Sequence, residues 1–263
     1  LPEAMAAPTP ISAFLHAAAM VKAGVFLIAR LLLGGWMLST GAGLLVSIAA
    51  LVTMFAALYL YFFQDDLKRL LAYSTIAQLG YIFLGMGLGV LGSSMAFRGA
   101  ILHILMHAVA KTTLFLSVGA VAYLTGSRSI SKLSGLAGSI PLAAWAFFIG
   151  AFALTGIPPL SCFWSKIYVL IGAMQVRGAF GPTVVILLVT ESLITFAWFL
   201  WIGQKVFFGR TRGTIGGRVE ETMALEQSGA HLPHTMEWIL ILLMIACFLS
   251  PIAGIPLVHR LLQ

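Results

Sequence analysis

Three ionisable residues interrupt one of the most apolar stretches of this chain. The segment 100–124 reads AILHILMHAVAKTTLFLSVGAVAYL and carries His103, His107 and Lys111. Their i, i+4, i+8 spacing puts all three along one face of a helix, each step rising ~6 Å. Their neighbours Ile104, Leu105, Leu114, Phe115 and Leu116 leave no polar surface that a water-exposed helix would need. The stretch is long enough to cross a bilayer, with Lys111 near the middle. An ionisable group at that depth is costly and marks an ion or proton path by default.

Other spans hold isolated ionisable groups. His16 and Lys22 are six residues apart in a first apolar segment, which puts them on different faces of one helix. Lys166 follows Pro158-Pro159 by about two turns, and Glu191 lies within LLVTESLITFAWFL. A long basic side chain near a helix end can reach the headgroups, which accounts for Arg30 and Lys205. It does not account for Lys111, Lys166 or Glu191, which have several apolar turns on both sides. For His16 alone, simple packing is an equal reading.

Proton transfer is the chemistry such a set can perform. A base stripped of hydration holds its proton less tightly, so it can both take one up and release it. Histidine titrates near neutrality unaided. Stations one helical turn apart can be bridged by one or two waters. Two His at i, i+4 also bind zinc in other proteins. Here no nearby Cys, Asp or third His completes a ligand set, and Lys111 on the same face repels a cation. No metal is expected, and no cofactor either: there is no Gly-rich nucleotide loop, Cys cluster or haem-ligand pattern.

The elements that position these groups follow from composition. Of 263 residues, 60% are hydrophobic and 9% charged, with a mean hydropathy of +1.04; soluble domains carry about 25% charged residues. The expected fold is therefore an all-α polytopic membrane protein. About seven spans can be drawn, over 11–33, 44–63, 70–90, 99–124, 138–172, 183–207 and 235–256. The fifth is too long for one straight crossing. Thr155-Gly156-Ile157-Pro158-Pro159 lies near its centre, so this helix should break there, freeing backbone groups that can hold water near Lys166. Residues 209–233 form a polar loop with Arg210, Arg212, Arg218, Glu220, Glu221 and Glu226. Cys162 and Cys247 are isolated in apolar surroundings and make no disulfide framework.

Loop charge gives an orientation. The Leu1 side carries Lys68, Arg69, Arg128, Lys132, Lys205, Arg210, Arg212 and Arg218, against Arg30, Arg98, Arg177 and Arg260 opposite. Eight against four places Leu1 on the cytoplasmic side and Gln263 outside. The formal charge of +7 is thus a topology signal and not a nucleic-acid footprint. The opening LPEAMAAPTP has neither an initiator Met nor a signal-peptide pattern and reads as the interior of a longer sequence.

Four blocks, in this order, carry a resemblance: LPEAMAAPTPISAFLHAAAMVKAGVFLIAR, QDDLKRLLAYSTIAQLGY, HILMHAVAKTTLFL and GIPPLSCFWSK. They are similar to the antiporter-like subunits shared by respiratory complex I, Mrp-type sodium/proton antiporters and membrane-bound hydrogenases. The likeness is strongest to the largest such complex I subunit and the first large Mrp subunit, and it weakens after Gly209. It implies a core of two inverted five-helix repeats, each with a broken helix and a key Lys. Residues 1–33 would then be the last helix of a first repeat with its preceding loop. Residues 34–208 would form the second repeat, broken near 155–160, followed by a polar cytoplasmic loop (209–233) and a C-terminal transmembrane helix (234–263). The resemblance places His16, His103, His107, Lys111 and Lys166 on a central polar axis, with Lys111 as the central Lys and Lys166 on the exit side. Lys22 matches a position that is Lys in several relatives, and Asp66 falls on a carboxylate near a helix boundary. Glu191 departs from the complex I pattern, which has a small polar residue there.

The expected function is that of a proton-translocating subunit in a multisubunit energy-converting complex of the translocase type, with no redox or hydrolytic site of its own. The proton path would comprise Lys111, His103, His107, Lys166, His16 and Lys22, with Glu191 and Asp66 as accessories and Pro158 and Pro159 at the break. A sodium/proton antiporter subunit and a purely structural subunit are the alternatives. Hard cations prefer oxygen ligands, and this core is rich in nitrogen bases, which tilts the choice to protons. The expected setting is a prokaryotic cytoplasmic membrane. Expected partners are other membrane subunits, including an N-terminal half or neighbour covering the first helix, where an uncovered Lys22 would cost ~3 kcal/mol.

Overall fold

The computed structural model describes residues 5, 7–17, 19–33, 39–209 and 231–262, and every regular element among them is helical. The α-helices are α1 (Thr9–Ala17), α2 (Met20–Leu33), α3 (Thr40–Tyr61), α4 (Leu67–Val90), α5 (Ser94–Thr125), α6 (Pro141–Thr155), α7 (Ser161–Met174), α8 (Phe180–Gly203) and α9 (His234–Leu261), with a π-helical turn over Gln204–Phe208 following α8. Six segments are long and apolar enough to cross a membrane, the first being Thr9–Leu31, which takes in α1 and most of α2. The fifth expected span, 138–172, is present as two shorter apolar helices, α6 and α7. Leu1, Gln263 and the charged residues from Arg210 to Glu226 lie outside the described residues.

Helix ends follow local chemistry. Ser39, Asp66 and Ser93 each accept hydrogen bonds from backbone N–H groups one turn on, capping α3, α4 and α5. Gly156, at φ 92°, ends α6 in the left-handed conformation that glycine adopts without a Cβ penalty. Pro251 and Pro256 lie inside α9, which continues to Leu261, past the expected end at 256. Neighbouring helices in a membrane bundle can satisfy the carbonyls that a Pro frees.

The centre of the bundle is α5, which packs against α1, α4, α6, α7 and α9. Without a strong hydrophobic drive between helices in lipid, close approach depends on small residues. Gly99 on α5 lies under Tyr168 and Val169 of α7, where a Cβ would fall 2.8 Å from the Val169 nitrogen. Gly172 of α7 sits directly on the backbone of Ala96. These contacts hold α7, and with it Ser165 and Lys166, against the stripe-bearing face of α5.

One end of the bundle is tied by its connectors. Ile130 N–H donates to Asp65 O and Leu67 N–H to Arg128 O, while Ala137 N–H donates to Phe207 O. Met5 and Ala7 belong to this same face, since Arg128 reaches Met5 O and Lys68 reaches Ala7 O at 2.6 Å. Asp65 accepts from the Ser129 and Ser131 hydroxyls and from Ser131 N–H. Burial pushes this carboxyl upward, but those bonds outweigh it and hold Asp65 below the usual carboxylate range.

Candidate functional site

Lys111 stands near the midpoint of α5 and is fully buried. Its ammonium donates to Leu71 O at 2.9 Å and to the Ser74 hydroxyl, both on α4. No carboxylate pairs with it among the described residues. One turn back, His107 meets Lys22 across the α2–α5 contact, with Nζ 3.2 Å from Nδ1. A protonated Lys22 has only hydrogens to offer, so it fixes His107 as the acceptor at Nδ1. A further turn back, His103 Nδ1 lies 2.8 Å from Ser165 Oγ, and the rings of His103 and His107 are 5.9 Å apart. Ser165 gives its single proton to Cys162 O at 3.0 Å, which leaves His103 to donate from Nδ1.

Lys166 continues the line on α7. Its ammonium donates to Thr155 O at 3.2 Å, a carbonyl at the end of α6 that the helix break leaves without an intrahelical partner. It also donates to Ser192 Oγ at 3.1 Å and lies 4.3 Å from the centre of the Tyr81 ring. The Tyr81 ring in turn stacks on His103 at 5.4 Å. Glu191, fully buried on α8, places Oε2 3.9 Å from Lys166 Nζ. Tyr81 donates to that oxygen at 2.6 Å and Thr195 to Oε1 at 2.8 Å. Glu191 is thus the counter-ion of Lys166, a pairing between two separate helices.

His16 and Lys22 do not point apart as the spacing suggests. They lie on two helices, α1 ending at Ala17 and α2 beginning at Met20. His16 packs on Phe115 at 5.6 Å, while Lys22 reaches His107, so both meet α5. The outer surface of this segment is apolar, with Ile11, Phe14, Met20, Phe26 and Leu27 exposed. The expectation that Lys22 faces outward for a partner to cover is therefore corrected: its polar head is satisfied inside the chain.

Asp66 is not joined to the axis. It caps α4 through Lys68 N–H and Arg69 N–H and pairs with Arg128 at 3.5 Å. Lys68, counted above as a loop charge, is only 2% exposed, because residues 5 and 7 cover the first turn of α4. The sequence reading missed Tyr81, Ser74, Ser165, Ser192 and Thr195. No motif marks them.

Several buried polar atoms along this line have no hydrogen-bond partner among the described residues: both ring nitrogens of His16, Nε2 of His103 and of His107, and the Gln78 amide. Such groups normally find a protein or water partner. Among the described residues no three His, Cys, Asp or Glu side chains converge as metal ligands.

Fold and site together define a polytopic helical membrane protein with a buried ionisable axis. The chain belongs to the NADH:quinone oxidoreductase/Mrp antiporter transmembrane family, whose model matches residues 1–195. It is 42% identical over 175 residues to the chloroplastic NAD(P)H-quinone oxidoreductase subunit 5 of Citrus sinensis, and 44% over 178 residues to that of Lemna minor. Each match covers 63% of this chain and 23% of the relative, so the chain matches about a quarter of the length of these curated relatives. A chain of the archaeal membrane-bound sulfane sulfur reductase superposes with a TM-score of 0.75 at 26% identity, covering 97% of this chain and 49% of that one. A chain of the Mrp complex from Dietzia sp. DQ12-45-1b gives 0.67 at 22% identity, covering 85% and 46%, and shows the shared fold.

Proposed function

We propose that this chain is the proton-conducting part of an antiporter-like subunit in a multisubunit energy-converting membrane assembly. The path runs through His16, Lys111, Lys22–His107, His103, Ser165 and Lys166, with water bridging the unpartnered ring nitrogens. The observation that carries this reading is Lys111, a buried cation held by one carbonyl and one hydroxyl with no anionic partner among the described residues. A base held by neutral groups alone has no fixed counter-charge, and a base that alternates between states is what a relay requires. Residues 34–208 act as one five-helix repeat with its break at Gly156–Pro159, and partner subunits cover the apolar outer faces. The Met5 face lies toward the cytoplasm or its organellar equivalent, consistent with its Lys and Arg residues.

A second reading, sodium/proton exchange, is favoured by one feature: the Tyr81 and Thr195 hydroxyls gathered on the Glu191 carboxylate, with Ser192 beside Tyr81. The two separate by ion dependence in proteoliposomes holding the whole assembly. Proton movement that persists in sodium-free medium is the expected result. A strict requirement for sodium, abolished by Glu191→Gln, would replace the first reading with the second.

A further inference from the structure

The hydrogen bonds around Glu191 extend beyond Lys166 to the far side of α8. Thr195 has a single hydroxyl proton and gives it to Glu191 Oε1 at 2.8 Å. Tyr61 OH lies 2.8 Å from the same Thr195 oxygen, so Tyr61 must be the donor in that pair. On the other side Tyr81 gives its proton to Oε2 at 2.6 Å, Ser192 stands 2.7 Å from Tyr81 OH, and Lys166 donates to Ser192. Two lines of donors therefore converge on one carboxylate. Tyr61, Glu191 and Thr195 are all fully buried.

The outer line leads toward the Met5 face. Tyr61 is the last residue of α3, and two residues on, Phe63 lines a cleft of about 510 Å³ that also includes Gln64, Asp65, Asp66 and Arg128. Neither Tyr61 nor Thr195 belongs to the axis through α5, and neither is needed to neutralise Lys166. Tyr61, itself fully buried, and Thr195 form a hydroxyl pair that runs from the Met5-side end of α3 to the buried carboxylate, the geometry of a proton wire.

We propose that Tyr61 and Thr195 form a second access branch, which loads Glu191 with protons from the Met5 face and so exchanges them with Lys166. In one passage, a proton binds Tyr61 O as the Tyr61 O–H bond breaks toward Thr195. The Thr195 O–H bond breaks toward Glu191 Oε1, and the carboxylate becomes a neutral acid. Each hydroxyl ends with one proton, and no electrons are transferred. Once the Lys166 amine has released its own proton to the His103 side, the Glu191 carboxyl turns to present its protonated oxygen where Oε2 now lies, 3.9 Å from Nζ; the O–H bond breaks toward the amine and the ion pair re-forms. The inference rests on the proton-path reading above and adds to it a route that does not start at His16.

The test uses the whole assembly in proteoliposomes, with proton movement followed by a pH-sensitive dye and normalised to assembled complex. Thr195→Val and Tyr61→Phe keep shape and remove the hydroxyls. Each should slow transport severalfold, because the route through His16 stays open, which is less than the ~10²-fold that losing an obligatory proton carrier costs. Thr195→Ser, which keeps the hydroxyl, should run near the parent rate. Parent-like transport in Tyr61→Phe or Thr195→Val overturns the branch, as does a Thr195→Ser variant as slow as Thr195→Val. If Thr195→Val does not assemble, Tyr61→Phe decides alone. Lys111→Ala, measured alongside, separates the two claims: full transport there refutes the path itself, whereas its loss beside an unimpaired Tyr61→Phe refutes only the branch.

Discussion

Lys166 and Glu191 stand 3.9 Å apart on α7 and α8, both buried, with the Tyr81 ring against the cation and the Tyr81 hydroxyl on the anion. One tyrosine therefore touches both members of the pair, and its ring also stacks on His103. Tyr81 is thus in contact with the pair and with the end of the α5 stripe.

Removing one partner of that pair strands a buried charge, which typically costs ~3–5 kcal/mol. Lys166→Met and Glu191→Gln should each lower the thermal stability of the purified assembly sharply. The double variant should regain much of the loss, since neither charge is then left alone. Additive losses in the double variant would show that the two groups are not energetically coupled.

The contact of α5 with α7 sets the His103–Ser165 distance. Gly99→Leu forces a side chain into the backbone around Val169, where even a Cβ stands at 2.8 Å, and should cost roughly 1–3 kcal/mol by overpacking. Transport should fall more than stability, because Ser165 and Lys166 move away from the stripe together. Unchanged transport with intact assembly would mean that this spacing is not critical.

Ser165→Ala removes the acceptor that orients His103. Transport should decline partially, since Lys22–His107 and Lys111 remain and water can bridge one missing station. The check is the transport rate beside that of His103→Ala, which should be the lower of the two.

Because hydrogen bonds from Ser129 and Ser131 hold Asp65 below the usual carboxylate range, its contribution has a defined pH sign. The stabilisation is present above the unfolded-state value and is lost as the pH falls through the folded one. Hydrogen exchange at Ile130 and Ser131 should therefore quicken relative to other amides at acid pH. Asp65→Asn should show faster exchange already at neutral pH and lose that acid response.

The stripe, the broken helix and the helical membrane fold were legible because each leaves a local mark. His103, His107 and Lys111 share one helix, so spacing alone aligns them, and TGIPP interrupts an apolar run that is too long for one crossing. The Lys166–Glu191 pair was not legible, because it depends on the relative rotation of α7 and α8, which side-chain packing decides. The Lys22–His107 contact was not legible for a related reason: it depends on how α2 lies beside α5, which spacing within one helix does not give. Lys68 looked like a loop charge because its cover comes from residues 5 and 7, distant in sequence.

The central claim is that Lys111 must change its protonation state for ions to move. The direct measurement is proton transport by the whole assembly in proteoliposomes with Lys111→Ala and Lys111→Arg. Alanine removes the base, and arginine keeps a fixed charge because its guanidinium does not release its proton at accessible pH. Both variants should assemble and both should lose transport. Normal transport by Lys111→Arg would show that only the positive charge matters, and normal transport by Lys111→Ala would contradict the account outright.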